Sequence, residues 1–143
     1  MNTNELLSNL AILGLRTGAN GNRDYRIPIT EILVLASLYK YHSVSSEDVL
    51  ISIEKITDAI GSTVEVHGAN MLTTTGVKNI IQHLRNNIVW GGTTITSQRV
   101  AGTVRYQVQD INMLEQRISW ILSTTAGSED VIWVTFMKVV DAL

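Results

Sequence analysis

The sequence predicts a mainly α fold with one small β-hairpin, an α+β chain, and three observations lead to it. Apolar residues recur at helical spacing in six separate segments. The period changes to two over Thr93–Gln98 and Thr103–Val108, which are rich in threonine and valine, with Gly102 in the turn between them. The chain has 143 residues, 45% of them apolar, and a single proline, which is enough for one buried core and too little for two ordinary domains.

Taken in order, Asn4 to Leu15 sets Leu6, Leu7, Leu10, Ile12 and Leu13 at helical spacing, a first amphipathic helix expected to pack on a partner. Thr17 to Asp24 holds two glycines, two asparagines and no apolar residue larger than alanine, so it reads as a flexible loop. Pro28 presets the start of a second helix, Thr30 to Tyr41, whose Ile32, Leu33, Leu35, Ala36 and Leu38 form an apolar surface wide enough for the centre of the core. Ser43 to Glu47 reads as a polar turn and Val49 to Ile51 as one short strand. Ser52 then caps a third helix, Ile53 to Ile60, which stops at Gly61. Ser62 to Leu72 reads as an irregular connection.

Thr73, Thr74 and Thr75 offer capping hydroxyls to a fourth helix, in which Val77, Ile80, Ile81, Leu84 and Ile88 give the buried stripe. In the hairpin that follows, Val104, Tyr106 and Val108 share the core face, leaving Thr103, Arg105 and Gln107 on the other. The tail predicts two more helices, Ile111 to Leu122 behind Asp110 and Glu129 to Ala142 behind Ser128. The last carries Val131, Ile132, Trp133, Val134, Phe136, Met137, Val139 and Val140, more apolar surface than one exposed helix leaves in water, so it is expected to pack between subunits.

Composition narrows the function. There is no cysteine, which removes disulfides, thiolate metal sites and catalytic thiols. His42, His67 and His83 are widely spaced, and no glycine-rich phosphate loop, HExxH or GxSxG occurs, so no enzyme, metal or cofactor is expected. Glu65 and His67 supply only two ligands, too few for a metal site. Met1 to Leu15 carries Glu5 and lacks the features of a secretion leader. The longest apolar stretch, Ile32 to Tyr39, is about half a membrane span, so a cytoplasmic protein without membrane contact is expected.

The net charge of −2 conceals a separation. Between Val66 and Gln109 there is no Asp or Glu, whereas Lys78, Arg85, Arg99 and Arg105 lie there, so that stretch carries +4 and the remainder −6. Ordinary solvated surfaces mix both signs. Lys78, Gln82 and Arg85 fall at i, i+4 and i+7 on one helical stripe, with Asn79 and Asn86 beside them. Such long donors on a helix reach base edges in a major groove: Arg pairs with guanine and Gln with adenine. Thr74, Thr75 and Asn79 near the helix start suit phosphates, and Arg99 near the hairpin tip suits the adjoining minor groove. The bland alternative is that this polar face only solvates its helix.

From Ile29 to Gln109 the order helix, short strand, helix, connection, helix, hairpin resembles the winged helix-turn-helix family. The residues that carry the resemblance are Ile53-Glu-Lys-Ile-Thr-Asp-Ala-Ile-Gly61, then Thr73-Thr-Thr-Gly-Val-Lys-Asn-Ile-Ile-Gln-His-Leu-Arg-Asn-Asn87, then the hairpin. The connection from Ser62 to Leu72 is longer than the turn usual between motif helices. With one helix before and two after, the chain looks like the MarR-type arrangement. The resemblance implies residues 1–28 as a helix and flexible loop, 29–109 as the winged helix-turn-helix domain and 110–143 as dimerisation helices. It implies a homodimeric transcriptional regulator binding double-stranded DNA through Thr74, Thr75, Lys78, Asn79, Gln82, Arg85, Asn86, Arg99 and Arg105.

Two other readings compete: a plasmid or phage replication or partition adaptor, and a winged-helix protein-interaction module that never meets DNA. Arg23 and Arg26 flank the Gly/Asn loop, but Asp24 between them favours an ordinary charged loop. A small-molecule effector is a further partner to consider. Trp90, Trp120 and Trp133 would line its pocket, although core packing is the simpler role for them.

Overall fold

Seven consecutive residues, Ile32 to Leu38, are all buried, the mark of a helix with neighbours on every side. They belong to α2 (Ile29–Tyr41), against which the other helices and the first strand pack. The computed structural model describes residues 3–14, 29–60, 73–85, 95–122 and 129–143. Their order is α1 (Thr3–Gly14), α2, β1 (Ser43–Ser45), α3 (Ser46–Ile60), α4 (Thr74–Arg85), β2 (Ile95–Val100), β3 (Thr103–Val108), α5 (Ile111–Leu122) and α6 (Glu129–Ala142). The result is a mainly helical α+β chain with one small antiparallel sheet of order β1-β3-β2. Among the described residues, no helix is long and apolar enough to cross a membrane. The expected loop Thr17–Asp24, with Arg23 and Arg26, and the connection Ser62–Leu72, with Glu65 and His67, lie outside the described residues.

The transition from α2 into the sheet departs from the sequence expectation. Ser43 to Ser45 is not a free turn but strand β1, with Val44 buried and the register Ser43 to Gln107, Val44 to Tyr106, Ser45 to Arg105. Three residues are too few to display a period of two, so only the ladder with β3 reveals the strand. His42 makes the junction: in the left-handed region at φ 54°, its N–H donates to the Leu38 carbonyl at 2.9 Å and its own carbonyl accepts from Val108 N–H at 2.7 Å.

Val49 to Ile51, expected as the strand, instead lies inside α3, and Ser52 caps nothing because it sits mid-helix. The cap is seven residues earlier. Asp48 N–H donates to Ser45 Oγ at 3.0 Å, and Ser45 N–H donates to Asp48 Oδ2 at 3.1 Å, a reciprocal capping box. Once the helix starts there, Val49, Ile53 and Ile56 fall on its buried stripe, while Ile51 turns to solvent. Three β-branched or bulky residues in a row mimic a strand; the cap overrides their propensity.

The terminal helices also differ from expectation. Leu6, Leu10 and Leu13 of α1, and Ile132, Phe136, Val139 and Val140 of α6, are buried within this one chain, where α1 packs on α6 and both pack on α2. The apolar surplus that suggested packing between subunits is thus largely met inside the chain. Phe136 is the centre, meeting Tyr39 and Trp133 edge-on at ring distances of 6.0 and 5.8 Å. α5 begins as expected, with Asp110 Oδ1 accepting from Asn112 N–H at 2.9 Å. Its Glu115 accepts from the Tyr39 hydroxyl of α2 at 2.8 Å.

Candidate functional site

α4 starts at a single cap: Thr73 Oγ1 accepts from Gly76 N–H at 3.1 Å, and the Thr73 carbonyl accepts from Val77 N–H at 3.0 Å. That leaves Thr74 half-buried and Thr75 exposed in the first turn, where N–H groups outnumber their helical partners. Val77, Ile81 and Leu84 bury one stripe, and this fixes where the rest must point. Lys78, Asn79, Gln82 and His83 are all exposed. Asn86, expected on the same surface, lies outside the described residues.

β2 and β3 form the expected hairpin, with β2 running two residues further than expected, to Val100. Ala101 and Gly102 make the two-residue turn with φ values of 49° and 82°, the positive pair that a type I′ connection requires. Directly opposed residues share a face, so Ile95, Ser97 and Arg99 lie with Val108, Tyr106 and Val104. Gln98 and Thr96 lie with Arg105 and Gln107 on the other face. Arg99 and Arg105, grouped together from sequence, therefore project from opposite faces of the hairpin. The first face is buried at its base through Ile95 and Val108 and becomes exposed toward the tip at Ser97 and Arg99.

Arg105 faces a different neighbourhood. It opposes Ser45 across the ladder, and its charge helps hold the Asp48 carboxyl below the usual aspartate range, after the larger effect of the hydrogen bonds from Ser45. Arg105 thus supports the start of α3, while Arg99 lies on the face toward which α4 reaches.

Arg85 is the residue whose position the sequence did not anticipate. Instead of extending freely, it is half-buried, and its Nη1 donates to both Gln82 Oε1 and Ser97 Oγ at 3.3 Å each. Its Nε is buried with no partner among the described residues. Burial raises the pKa of Tyr106, which opposes Ser97, and the positive charge of Arg85 acts against that rise. Ser97 is the member of this candidate site that the sequence does not single out; the strand register brings it to Arg85.

A shallow groove of about 320 Å³ lies elsewhere, lined by Tyr41, Ser43, Val44, Ile51, Lys55 and Leu143 among others. Trp133 is not among its described lining residues. Trp133 is half-buried against Phe136, in keeping with core packing, while Trp90 and the side chain of Trp120 lie outside the described residues. Among the described residues, no three His, Asp or Glu side chains gather closely enough to hold a metal ion.

Comparison of the chain with protein-family models, with curated proteins and with solved structures finds no match.

Proposed function

We propose that the chain is a winged helix-turn-helix protein that binds double-stranded DNA, with α4 as the recognition helix and the β2–β3 hairpin as the wing. The observation that carries this reading is the exposed Lys78, Asn79 and Gln82 surface of α4, standing beside a hairpin that presents Arg99, in a stretch with no carboxylate. A helix of this width fits a major groove, and the donors on its outer face match base edges and phosphate oxygens. The element order α2-β1-α3-α4-β2-β3, with β1 closing on β3, supports the same reading. Thr75 at the first turn suits a phosphate, since the helix start carries partial positive charge.

The active species in this proposal is a homodimer regulating transcription. Support for a second copy comes from Val131 and Val134 of α6, which stay 56% and 57% exposed although Ile132, Phe136, Val139 and Val140 of the same helix are buried. The same two valines favour the second reading, a protein-interaction module in which α6 recruits a partner.

Titration of the protein onto labelled random-sequence duplex at two salt concentrations separates the two readings. Binding should weaken steeply as salt rises, because each phosphate contact releases counterions. Lys78→Ala should lower the slope of log affinity against log salt by about 1. Binding that ignores salt, or its absence even at low salt, would overturn the DNA reading and turn attention to α6.

A further inference from the structure

The structure assigns Arg85 a positioning role: its guanidinium ties the recognition helix to the wing and fixes the rotation of Gln82, and it does not itself read a base. The inference rests on the DNA-binding reading for its consequence, but the tie is a property of the free protein. One nitrogen, Nη1, is shared between Gln82 Oε1 on α4 and Ser97 Oγ on β2, each at 3.3 Å. The two acceptors lie on elements separated in the chain by residues 86–94, so Arg85 is the polar bridge between helix and hairpin.

Three details favour a strut over a free reader. A guanine contact uses two guanidinium nitrogens aimed outward as a fork. Here Nε is buried and Nη1 is engaged by Gln82 and Ser97, so two of the three guanidinium nitrogens are committed within the junction. Ser97, which accepts from Nη1, opposes the buried Tyr106 on one face of the hairpin, so the guanidinium lies against that face. Gln82 is also constrained. A guanidinium only donates, so the Gln82 amide must turn its oxygen toward Arg85. That oxygen is the atom an adenine pairing would need to accept from the base amino group. Arg85 thus sets which edge of Gln82 is offered, as well as the angle between helix and wing.

The test is a double-mutant cycle of Arg85→Lys and Ser97→Ala in the full chain, read first by urea unfolding of the free protein. Lysine keeps the charge and loses the fork. Residues sharing a hydrogen bond should be non-additive, with coupling of at least about twofold in the unfolding constant. Additive effects would overturn the tie. Ser97→Ala keeps the tie testable even if Arg85→Lys folds poorly, because Ser97 is exposed and its substitution alone should raise the unfolding constant at least about twofold, and an unchanged constant would overturn the tie.

Selection of preferred duplexes from a random pool is the second reading of the same variants. Both should shift base preference at the same positions, and both should keep the wild-type salt slope because no charge is lost. If Arg85→Lys relaxes one base pair while Ser97→Ala leaves the preference untouched, Arg85 reads that base directly and the proposal fails. If the wild type binds no duplex yet the cycle shows coupling, the tie stands and the DNA reading falls.

Discussion

α4 and α6 are helices of similar length that solve the burial problem in opposite ways. α4 buries one narrow stripe, Val77, Ile81 and Leu84, and every fully exposed side chain around it is polar. α6 buries Ile132, Thr135, Phe136, Val139 and Val140 and still exposes Val131 and Val134. The core explains nearly all of what α6 carries, because α1 and α2 lie against it. It does not explain the outer face of α4, whose Lys78, Asn79 and Gln82 make no demand on packing. That polar face, left unexplained by packing, is what the proposed DNA-binding role draws on.

The largest expected effect breaks the packed side of this comparison. Phe136→Ala removes a fully buried ring that meets both Tyr39 and Trp133, and should cost about 3–5 kcal/mol in urea unfolding, since deleted ring contacts and the residual cavity add. A cost below about 1 kcal/mol would mean that α6 is not integral to the core, and that its apolar surface has another purpose.

A smaller effect concerns the start of α3, where Arg105 acts. Asp48 accepts a hydrogen bond from Ser45 N–H and has its carboxyl held below the usual aspartate range. Its folded pKa is depressed, so the stabilisation is present above the unfolded value and is lost as pH falls through the folded one. The melting temperature of the wild type should therefore fall more between neutral pH and pH near 3 than that of Asp48→Asn. Equal falls would remove Asp48 from the acid response and leave Arg105 without its proposed structural partner. It would then become available as a second cationic side chain of the hairpin.

Much of the fold was legible because its signals are local. The boundaries of α5 and α6 follow from apolar spacing, with Asp110 marking the start of α5, and the face assignment of Val104, Tyr106 and Val108 follows from a period of two. What escaped depends in part on pairings distant in sequence and in part on a local cap masked by a β-rich run. β1 exists because Val44 meets Tyr106, and α3 starts early because Ser45 and Asp48 cap each other where a β-rich run pointed to a strand. The candidate site divides along the same line. The exposure of Lys78 and Gln82 was readable from the stripe opposite them. The opposed faces of Arg99 and Arg105, and the capture of Arg85 by Ser97, required the register of the hairpin.

The smallest expected effect tests whether the hairpin shares the stability of the packed helices. Ala101 occupies the left-handed region at φ 49°, which an alanine adopts only at some cost, while Gly102 next to it adopts φ 82° freely. Ala101→Asn creates the Asn-Gly pair preferred in type I′ turns and should stabilise the hairpin by about 0.5–1 kcal/mol. If the hairpin unfolds together with α2 and α6, the gain should appear in full in the global thermal transition. If it opens on its own, the melting temperature will not move and the gain will appear only as slower amide exchange in β2 and β3. The second result would make the hairpin a separately adjustable element, held to α4 chiefly through Arg85. It would also show that the exposed end of the hairpin, beyond its buried Ile95, Tyr106 and Val108, takes its orientation from the Arg85 tie.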